Sequence, residues 1–331
     1  MIEVDRLSKT FHVHKKEPGL LGSLRSLFLR KKVAKHAVRE VSFGVKQGEI
    51  VGLVGANGAG KTTLVKMLAG IIHPSAGDAH VLDYQPWRRD DRYRQQIALI
   101  MGQKAQLWWD LPAGDCFLLL KEIYRIPDDV YRQRLDHLSE VLGVRDEIDV
   151  QIRRLSLGER MKMELISALL HAPKVVFLDE PTIGLDLTTQ RAIRDFLLWY
   201  REEHSPAMIV TSHYMDDIES LCKRIIILRE GEIIYDGLLT RVVETYADHK
   251  IVKAHLRDGG NVATVPEVAA LGEFEVLEDL ELRLRVPRED VAKAAAAVLK
   301  HYPVVDLTIE EVDIAAIIEG IISSRSGGAT P

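Results

Sequence analysis

GANGAGKTTL, from Gly55 to Leu64, is the stretch that decides the fold. It fits the phosphate-binding pattern G-x-x-x-x-G-K-[ST], in the context that this pattern requires. The apolar run GEIVGLVG predicts a strand before it, and KTTLVKMLAGII predicts a helix that begins near Lys61. A chance glycine-rich turn with both flanks correct is rare. The sequence therefore predicts a nucleotide-binding α/β domain.

The residue types of this loop suit a triphosphate. Gly55, Gly58 and Gly60 permit a tight loop whose amides point inward, at the positive end of the following helix. Lys61 supplies a cation, and the Thr62 hydroxyl is a ligand for Mg²⁺. The residues expected to contact the nucleotide are Gly55, Ala56, Asn57, Gly58, Ala59, Gly60, Lys61, Thr62 and Thr63.

A second apolar run, VVFLDEPTIGLD, ends in two acids. We assign Asp179 to Mg²⁺ through its water shell, and Glu180 to orienting and deprotonating the attacking water. Neighbours in a regular strand point to opposite faces, so both acids serve one site only if the strand ends here. Pro181 is consistent with that ending. Taken alone, an acid pair at a strand end is usually just solvated.

Two polar residues follow further predicted strands. His213 ends the run IVTSH, where it can donate a hydrogen bond to a γ-phosphate or to the attacking water. A lone histidine is more often structural, and the nearby phosphate loop and acids reverse that balance. Gln103, after IALIM, is a neutral amide suited to Mg²⁺ and to sensing the γ-phosphate. Spacing alone leaves the role of Gln103 open.

The chain has two regions that differ in their pattern of predicted strands and helices. Up to about residue 240, short β-branched runs alternate with helical patterns, which favours a largely parallel sheet, with a hairpin around Glu230 and Gly231. Beyond it, KIVKAHLRD, DLELRLRVP and VVDLTI predict strands, and REDVAKAAAAVLKHY and DIAAIIEGII predict helices. We expect a domain at 1–240, a small α+β domain at 241–323 and a disordered tail at 324–331.

Composition limits the classes of function. The 331 residues favour two domains, and the net charge of −5 argues against a general nucleic-acid binder. The start is not typical of a signal peptide, and no apolar run is long enough to span a bilayer. Cys116 and Cys222 have no metal-binding spacing, so we expect reduced core thiols in a cytosolic protein.

The motifs, in this order, resemble the ATP-binding subunit of ABC transporters over about residues 2–237. LSLGE, from Leu155 to Glu159, resembles the family signature LSGGQ, with Leu157 in place of a glycine and Glu159 in place of the glutamine. The resemblance implies a P-loop NTPase fold of the ABC type. Its α/β ATPase domain would carry a helical signature subdomain, followed here by the small C-terminal α+β domain.

The resemblance also implies a dimer and a set of site residues. Two subunits pack head to tail, with ATP and Mg²⁺ between the phosphate loop of one and the signature of the other. Ser156 and Gly158 suit a γ-phosphate, and Glu159 completes the signature contact. Phe11 falls where the family stacks an aromatic ring on adenine, although a core position is the alternative. Asp186, in GLD, falls where the family couples the two sites. Ser156 alone is also a plain helix N-cap.

A closing and opening dimer performs work only when it is attached to something. The resemblance implies integral membrane permease subunits, carried on a separate chain, and a peripheral location at the cytoplasmic face of the cell membrane. Trp108 and Trp109 suit either a groove for a permease helix or ordinary core packing. The basic insertion at about 13–36 suits an anionic membrane surface, the permease, or packing on its own domain.

We therefore predict an ATPase subunit that powers export of an unknown substrate. The C-terminal domain is similar to the tails of exporter subunits. The main alternative is a soluble ABC ATPase that acts on ribosomes or DNA. Ribosome-type members usually carry two ATP domains, and DNA-repair types carry a long coiled coil, whereas this chain has one phosphate loop and no heptad run. A P-loop switch or kinase would leave the signature and His213 unexplained.

Overall fold

The computed structural model describes residues 1–14, 32–102, 104–246, 249–257, 265–277, 280–311 and 314–323. The chain divides into two compact units, Met1–Gly237 and Leu238–Pro331. The basic insertion falls mostly at 15–31, and the predicted tail at 324–331, both outside the described residues. The flanks of the insertion are paired strand, with Val13 opposite Val33.

The first unit contains nine described strands and seven described helices, numbered here in chain order. The strands are β1 (Ile2–His14), β2 (Lys32–Val45), β3 (Ile50–Val54), β4 (Ala76–Val81), β5 (Ile97–Met101), β6 (Val175–Asp179), β7 (Ala207–Thr211), β8 (Arg224–Arg229) and β9 (Glu232–Leu238), the last of which ends one residue into the second unit. The helices are α1 (Lys61–Leu68), α2 (Asp91–Arg94), α3 (Ala113–Tyr124), α4 (Asp128–Val141), α5 (Leu157–Leu169), α6 (Leu187–His204) and α7 (Met215–Leu221).

A six-stranded sheet, in the order β5-β6-β7-β3-β8-β9, forms the centre of this unit. Strands β3, β6 and β7 are buried at every position, as expected for parallel strands covered on both faces. Met101, Asp179 and Thr211 lie side by side in the register, and Leu53 lies opposite Thr211. The carboxyl ends of four strands therefore meet at one edge, where open α/β sheets bind ligands.

Two smaller assemblies surround the central sheet. Strands β2, β1 and β4 form an antiparallel sheet, in that order, which the sequence patterns did not predict. One core joins the two sheets through Leu7, Val41, Leu53, Leu64 and Phe177. Helices α3, α4 and α5 follow one another between β5 and β6, and α5 packs against α3 and α4. They form the helical subdomain, and its helix α5 begins within the signature.

The second unit is an antiparallel sheet in the order β11-β12-β10-β13, with helices. Its elements are α8 (Leu239–Tyr246), β10 (His249–Leu256), α9 (Pro266–Ala269), β11 (Glu273–Leu277), β12 (Glu281–Pro287), α10 (Val291–His301), β13 (Val304–Glu311) and α11 (Ile314–Ser323). One face of the sheet packs on α9 and α10 through residues such as Val252, Leu284 and Val298.

In this unit the predicted strands β10, β12 and β13 and the predicted helices α10 and α11 are confirmed. The elements α8, α9 and β11 were not predicted. The hairpin is confirmed as well, since Glu230 and Gly231 both have positive φ between β8 and β9. Within the described residues, no helix has the length and apolar character needed to cross a bilayer.

Candidate nucleotide site

The phosphate loop connects β3 to α1 with three glycines in conformations that disfavour other residues. Gly55, Gly58 and Gly60 have φ of 156°, 85° and 110°. A Cβ on Gly60 would lie 2.3 Å from the carbonyl oxygen of Ala37, and one on Gly55 would lie 2.3 Å from that of Leu228. These positions require glycine because the backbone of neighbouring strands occupies the space of a side chain.

Lys61, at the start of α1, folds back over this loop. Its Nζ donates to the carbonyl oxygens of Gly55 at 2.5 Å and Ala56 at 3.2 Å. Burial lowers the pKa of this amine, while the nearby Glu180 and Asp179 carboxylates oppose the shift. The two acids therefore help to keep a partly desolvated cation charged beside the phosphate loop.

Asp179, the last residue of β6, lies beside the loop and accepts two hydroxyl hydrogen bonds on one oxygen. Thr62 Oγ1 donates to Asp179 Oδ1 at 3.0 Å, and Thr211 Oγ1 donates to the same atom at 2.7 Å. Thr62 and Asp179 were predicted to share a site. Thr211 was not predicted, and its signal was only its position in IVTSH, two residues before the histidine, where the strand ends.

Glu180 leaves the strand, as the sequence argument required. Strand β6 ends at Asp179, and Glu180 has φ of 57°, which is incompatible with a continuing strand. His213 Nε2 lies 2.6 Å from Glu180 Oε1, and the side chains are 36% and 12% exposed. The structure thus brings together an acid and a histidine that are 33 residues apart in sequence.

A cavity of about 270 Å³ opens above the loop. Its walls come from the phosphate loop, from Glu180 and from the antiparallel sheet. The lining residues are Phe11, Lys35, Ala37, Asn57, Gly58, Gly60, Lys61, Thr62, Thr63 and Glu180. Phe11 is half-buried on this wall, with Lys9 Nζ at 5.1 Å from its ring centroid, so it is available to a ligand rather than sealed in the core.

The signature residues form a separate cluster at two helix N-termini. Ser156 caps α5 and forms a capping box with Glu159: its Oγ accepts from Glu159 N at 3.2 Å and donates to Glu159 Oε2 at 2.8 Å. The hydrogen bonds from the Ser156 amide and hydroxyl lower the pKa of Glu159. The capping role of Ser156 is compatible with the predicted phosphate contact, because this N-cap residue is exposed.

Asp186 caps the neighbouring helix α6 through Thr189, whose hydroxyl donates to Asp186 Oδ2 at 2.6 Å. The Thr189 bonds lower the pKa of the Asp186 carboxyl. Thr189 also packs on Gly158, where an added Cβ would lie 2.9 Å from Thr189 Cγ2. The signature and the GLD segment therefore support each other within one chain.

The cavity over the phosphate loop is lined by none of the described residues of the signature or of GLD. Ser156, Gly158, Glu159 and Asp186 therefore do not line the cavity over the phosphate loop of their own chain. Gln103 lies outside the described residues. Trp108 and Trp109 are about half exposed, which argues against core packing. Arg160 lies 5.2 Å from the Trp109 ring centroid.

Comparison with protein families matches both units. Residues 38–183 match the family model described as "ABC transporter". Residues 248–310 match "EvrA-like ABC transporter, C-terminal domain". The first match includes the phosphate loop, the signature and the acid pair.

Curated relatives carry the same description. The chain is 33% identical over 216 residues to the ABC transporter ATP-binding protein NatA of Bacillus subtilis, covering 65% of this chain and 87% of NatA. It is 27% identical over 284 residues to the linearmycin resistance ATP-binding protein LnrL of B. subtilis, covering 84% and 90% of the two chains. It is 34% identical to the probable multidrug ABC transporter ATP-binding protein YbhF of Escherichia coli, over 63% of this chain and 36% of YbhF.

Solved structures share the fold. One described as "Structure of ATP binding subunit of ABC transporter" superposes with a TM-score of 0.61 at 23% identity, covering 74% of this chain and 92% of that one. The dimeric post-hydrolysis state of the cassette MJ0796, bound to ADP and Pi, superposes with a TM-score of 0.60 at 22% identity, over 72% and 98%. Fold, site and relatives agree: this chain belongs to the ABC transporter ATP-binding proteins, ATPases that bind ATP and power transport.

Proposed function

We propose that this chain is the ATPase subunit of an exporter whose permease is a separate chain. In this proposal two copies close head to tail around ATP and Mg²⁺ at the cytoplasmic face of the membrane. The observation that carries the hydrolytic part of the proposal is the contact between Glu180 and His213 beside the loop that holds Lys61. An acid and a histidine in contact at a phosphate site suit hydrolysis rather than simple nucleotide storage.

The roles follow from the position of each side chain. The loop amides and Lys61 hold the β- and γ-phosphates, and Phe11 stacks on the base at the other end of the cavity. Glu180 orients water and accepts its proton, while His213, beside it, donates to charge that develops on the γ-phosphate. Gln103 is proposed to sense the γ-phosphate on the basis of its place in the sequence.

The residues around Asp179 fit a magnesium ion. The donor set is a carboxylate and a hydroxyl, both hard oxygen ligands, and Mg²⁺ commonly takes one or two carboxylates together with water and substrate phosphates. Thr62 Oγ1 already contacts Asp179 Oδ1 at 3.0 Å, so the two would share one cation. Bound there, the ion would neutralise charge on the phosphates.

A second copy is proposed to complete the site. The cavity of one chain contains Lys61 and Glu180, and the signature lies elsewhere on the same chain. Head-to-tail pairing would bring Ser156, Gly158 and Glu159 of one copy to the γ-phosphate held by the other, with Asp186 at the junction. ATP would then favour the closed dimer through contacts that ADP lacks, and hydrolysis would remove that preference.

Export is supported by the relatives. LnrL is named for linearmycin resistance and YbhF as a probable multidrug transporter protein, and the match to LnrL extends over most of this chain. The exposed Trp108 and Trp109 suit a permease contact, since aromatic side chains are enriched in protein interfaces. The basic insertion remains proposed for the membrane surface or the permease. The net charge of −5 gives no support for nucleic acid as a partner.

The alternative is an ABC ATPase that acts on a macromolecule without a permease. Purification from detergent-solubilised membranes separates the two proposals. Recovery with a polytopic membrane chain supports export, and recovery alone from the soluble fraction contradicts it.

The ATPase proposal is tested by Glu180→Gln. This variant should keep ATP affinity within about threefold, lose at least 100-fold in kcat, and form a dimer with ATP that is not formed with ADP. Light scattering after gel filtration measures the dimer. Glu203→Gln, which removes an exposed acid from α6, is the matched control and should behave as wild type. Wild-type turnover by the Glu180→Gln variant would contradict the role of Glu180.

A further inference from the structure

A buried carboxylate lies behind the proposed hydrolytic pair. Asp217, in the first turn of α7, has no exposed surface. It lies four positions after His213, yet it is absent from the described residues that line the nucleotide cavity. A buried charge is costly unless it is paired and hydrogen-bonded, so the contacts of Asp217 show what it is built to hold.

Three side chains from three segments converge on Asp217. Thr182 Oγ1 donates to its Oδ2, and Ser212 Oγ donates to the same oxygen at 2.7 Å. Arg194 Nη1, on α6, contacts Oδ1 at 2.9 Å, and this arginine is itself largely buried. The carboxylate therefore has a buried counter-charge on one oxygen and two hydroxyl donors on the other.

The two hydroxyl donors belong to the segments that carry the proposed hydrolytic residues. Thr182 lies two residues after Glu180, and Ser212 immediately precedes His213. Ser212 Oγ also accepts from the amide of Tyr214 at 3.0 Å, so the turn is held on both sides of His213. The Glu180–His213 contact joins these two segments at the nucleotide site. Asp217 joins the same two segments a second time, through buried contacts.

The arginine extends this connection toward the signature. Arg194 lies on α6, which begins after Asp186, and Thr189 in its first turn packs on Gly158. The segment of Thr182 likewise leads to Asp186. One buried carboxylate thus ties the hydrolytic segments to the helix that supports the signature.

We propose that Asp217 is a positioning residue for ATP hydrolysis, which holds the turn of His213 and the segment after Glu180 in the geometry that water attack requires. It acts through Ser212, Thr182 and Arg194 and makes no contact with the nucleotide. This inference rests on the proposed roles of Glu180 and His213. Catalytic side chains need second contacts of this kind, because small displacements of a reacting group reduce the rate steeply.

The first test is Asp217→Asn, which keeps the shape and removes the charge. The expected result is a decrease in kcat of about 10-fold to 100-fold, with the KM for ATP and the affinity for ATP within about threefold of wild type. Asp216→Asn is the matched control: it removes the same charge one residue earlier, at an exposed position, and should leave kcat unchanged. Equal decreases in kcat and ATP affinity, or wild-type kcat, would overturn the proposal.

A second pair separates positioning from packing and does not depend on Asp217→Asn folding well. Thr182→Val keeps the volume of a fully buried side chain and loses the hydroxyl, whereas Thr182→Ser keeps the hydroxyl and loses a methyl group. Positioning predicts that kcat decreases about 10-fold or more in Thr182→Val and stays within about twofold to threefold in Thr182→Ser. The opposite order would show a packing role and overturn the proposal.

Wild type and Glu180→Gln, measured in the same series, keep this inference separate from the proposed function. If Glu180→Gln is inactive while Asp217→Asn and Thr182→Val hydrolyse ATP normally, only the positioning role is wrong. If Glu180→Gln retains full activity, the assignment of the hydrolytic pair is wrong, and the role of Asp217 falls with it.

Discussion

At the scale of single residues, two glycines of the phosphate loop are required for different structural reasons. Gly58 and Gly60 both lie in the loop and both have positive φ, although only Gly60 occupies a glycine position of the phosphate-binding pattern. Gly60 faces the carbonyl oxygen of Ala37, whereas nothing lies within 4 Å of the Cβ position of Gly58. Gly60 is required both by the lack of space and by its backbone conformation, and Gly58 is required by its backbone conformation alone.

This difference predicts unequal effects of alanine. Gly60→Ala should lower the free energy of unfolding by about 3 kcal/mol, because a backbone carbonyl cannot move aside and φ is unfavourable. Gly58→Ala should cost about 1 kcal/mol, from left-handed backbone strain alone. Urea unfolding of the two variants measures the difference. Equal losses would show that the approach of Ala37 is not the cause.

At the scale of elements, His171 joins three of them. It follows α5, stacks on Tyr124 of α3 with ring centroids 3.9 Å apart, and places Nε2 3.0 Å from the carbonyl oxygen of Ile97 in β5. Burial lowers its pKa from 6.5 to about 4, and the hydrogen bond to Ile97 only partly opposes the shift. The packing of the helical subdomain against the sheet edge therefore requires a neutral imidazole.

Acid should weaken this junction. Because the folded-state pKa lies below the unfolded value, the unfolded chain takes up a proton first as pH falls, and stability is lost between about pH 6.5 and 4. From pH 7 to 5 this residue should remove about 2 kcal/mol from the free energy of unfolding. His171→Phe keeps a ring and does not titrate, so its decrease should be smaller by that amount. Denaturant unfolding at the two pH values measures this. Equal decreases in the free energy of unfolding for wild type and His171→Phe would contradict the prediction.

At the scale of the whole molecule, the described residues include two hydrophobic cores, one in each unit, that have no residue in common. One includes Leu53, Leu64 and Phe177, and the other includes Val252, Leu284 and Val298. Every residue that lines the nucleotide cavity belongs to the first unit. Nucleotide binding should therefore survive damage to the second core.

Leu284→Asp provides the test in the full chain. It places a charge at a position with no exposed surface, which should unfold the second unit. ATP affinity should stay within about threefold of wild type, measured by titration calorimetry, while circular dichroism shows partial loss of structure. Thr308→Asp adds the same charge at an exposed position on β13 and should leave both units folded. Loss of ATP binding in Leu284→Asp alone would contradict independent cores.

The amino-acid sequence by itself determined the local features: the phosphate loop from Gly55 to Thr62, the hairpin at Glu230, and the strand that delivers Asp179 and Glu180. These depend on residue type and on spacing over a few positions, which local backbone preferences and periodicity express directly. Their structures are confirmed, whereas the catalytic and binding roles remain predictions. The sheet of β1, β2 and β4 was missed because its pairing joins segments far apart in the chain.

Only the tertiary structure decided which distant groups meet. The contact of Glu180 with His213, the support of Asp179 by Thr211, and the network around Asp217 all depend on the strand order β6-β7-β3. The same packing leaves the signature outside the cavity of its own chain. Strand order arises from how whole elements bury their faces against one another, so no local run of residues specifies it.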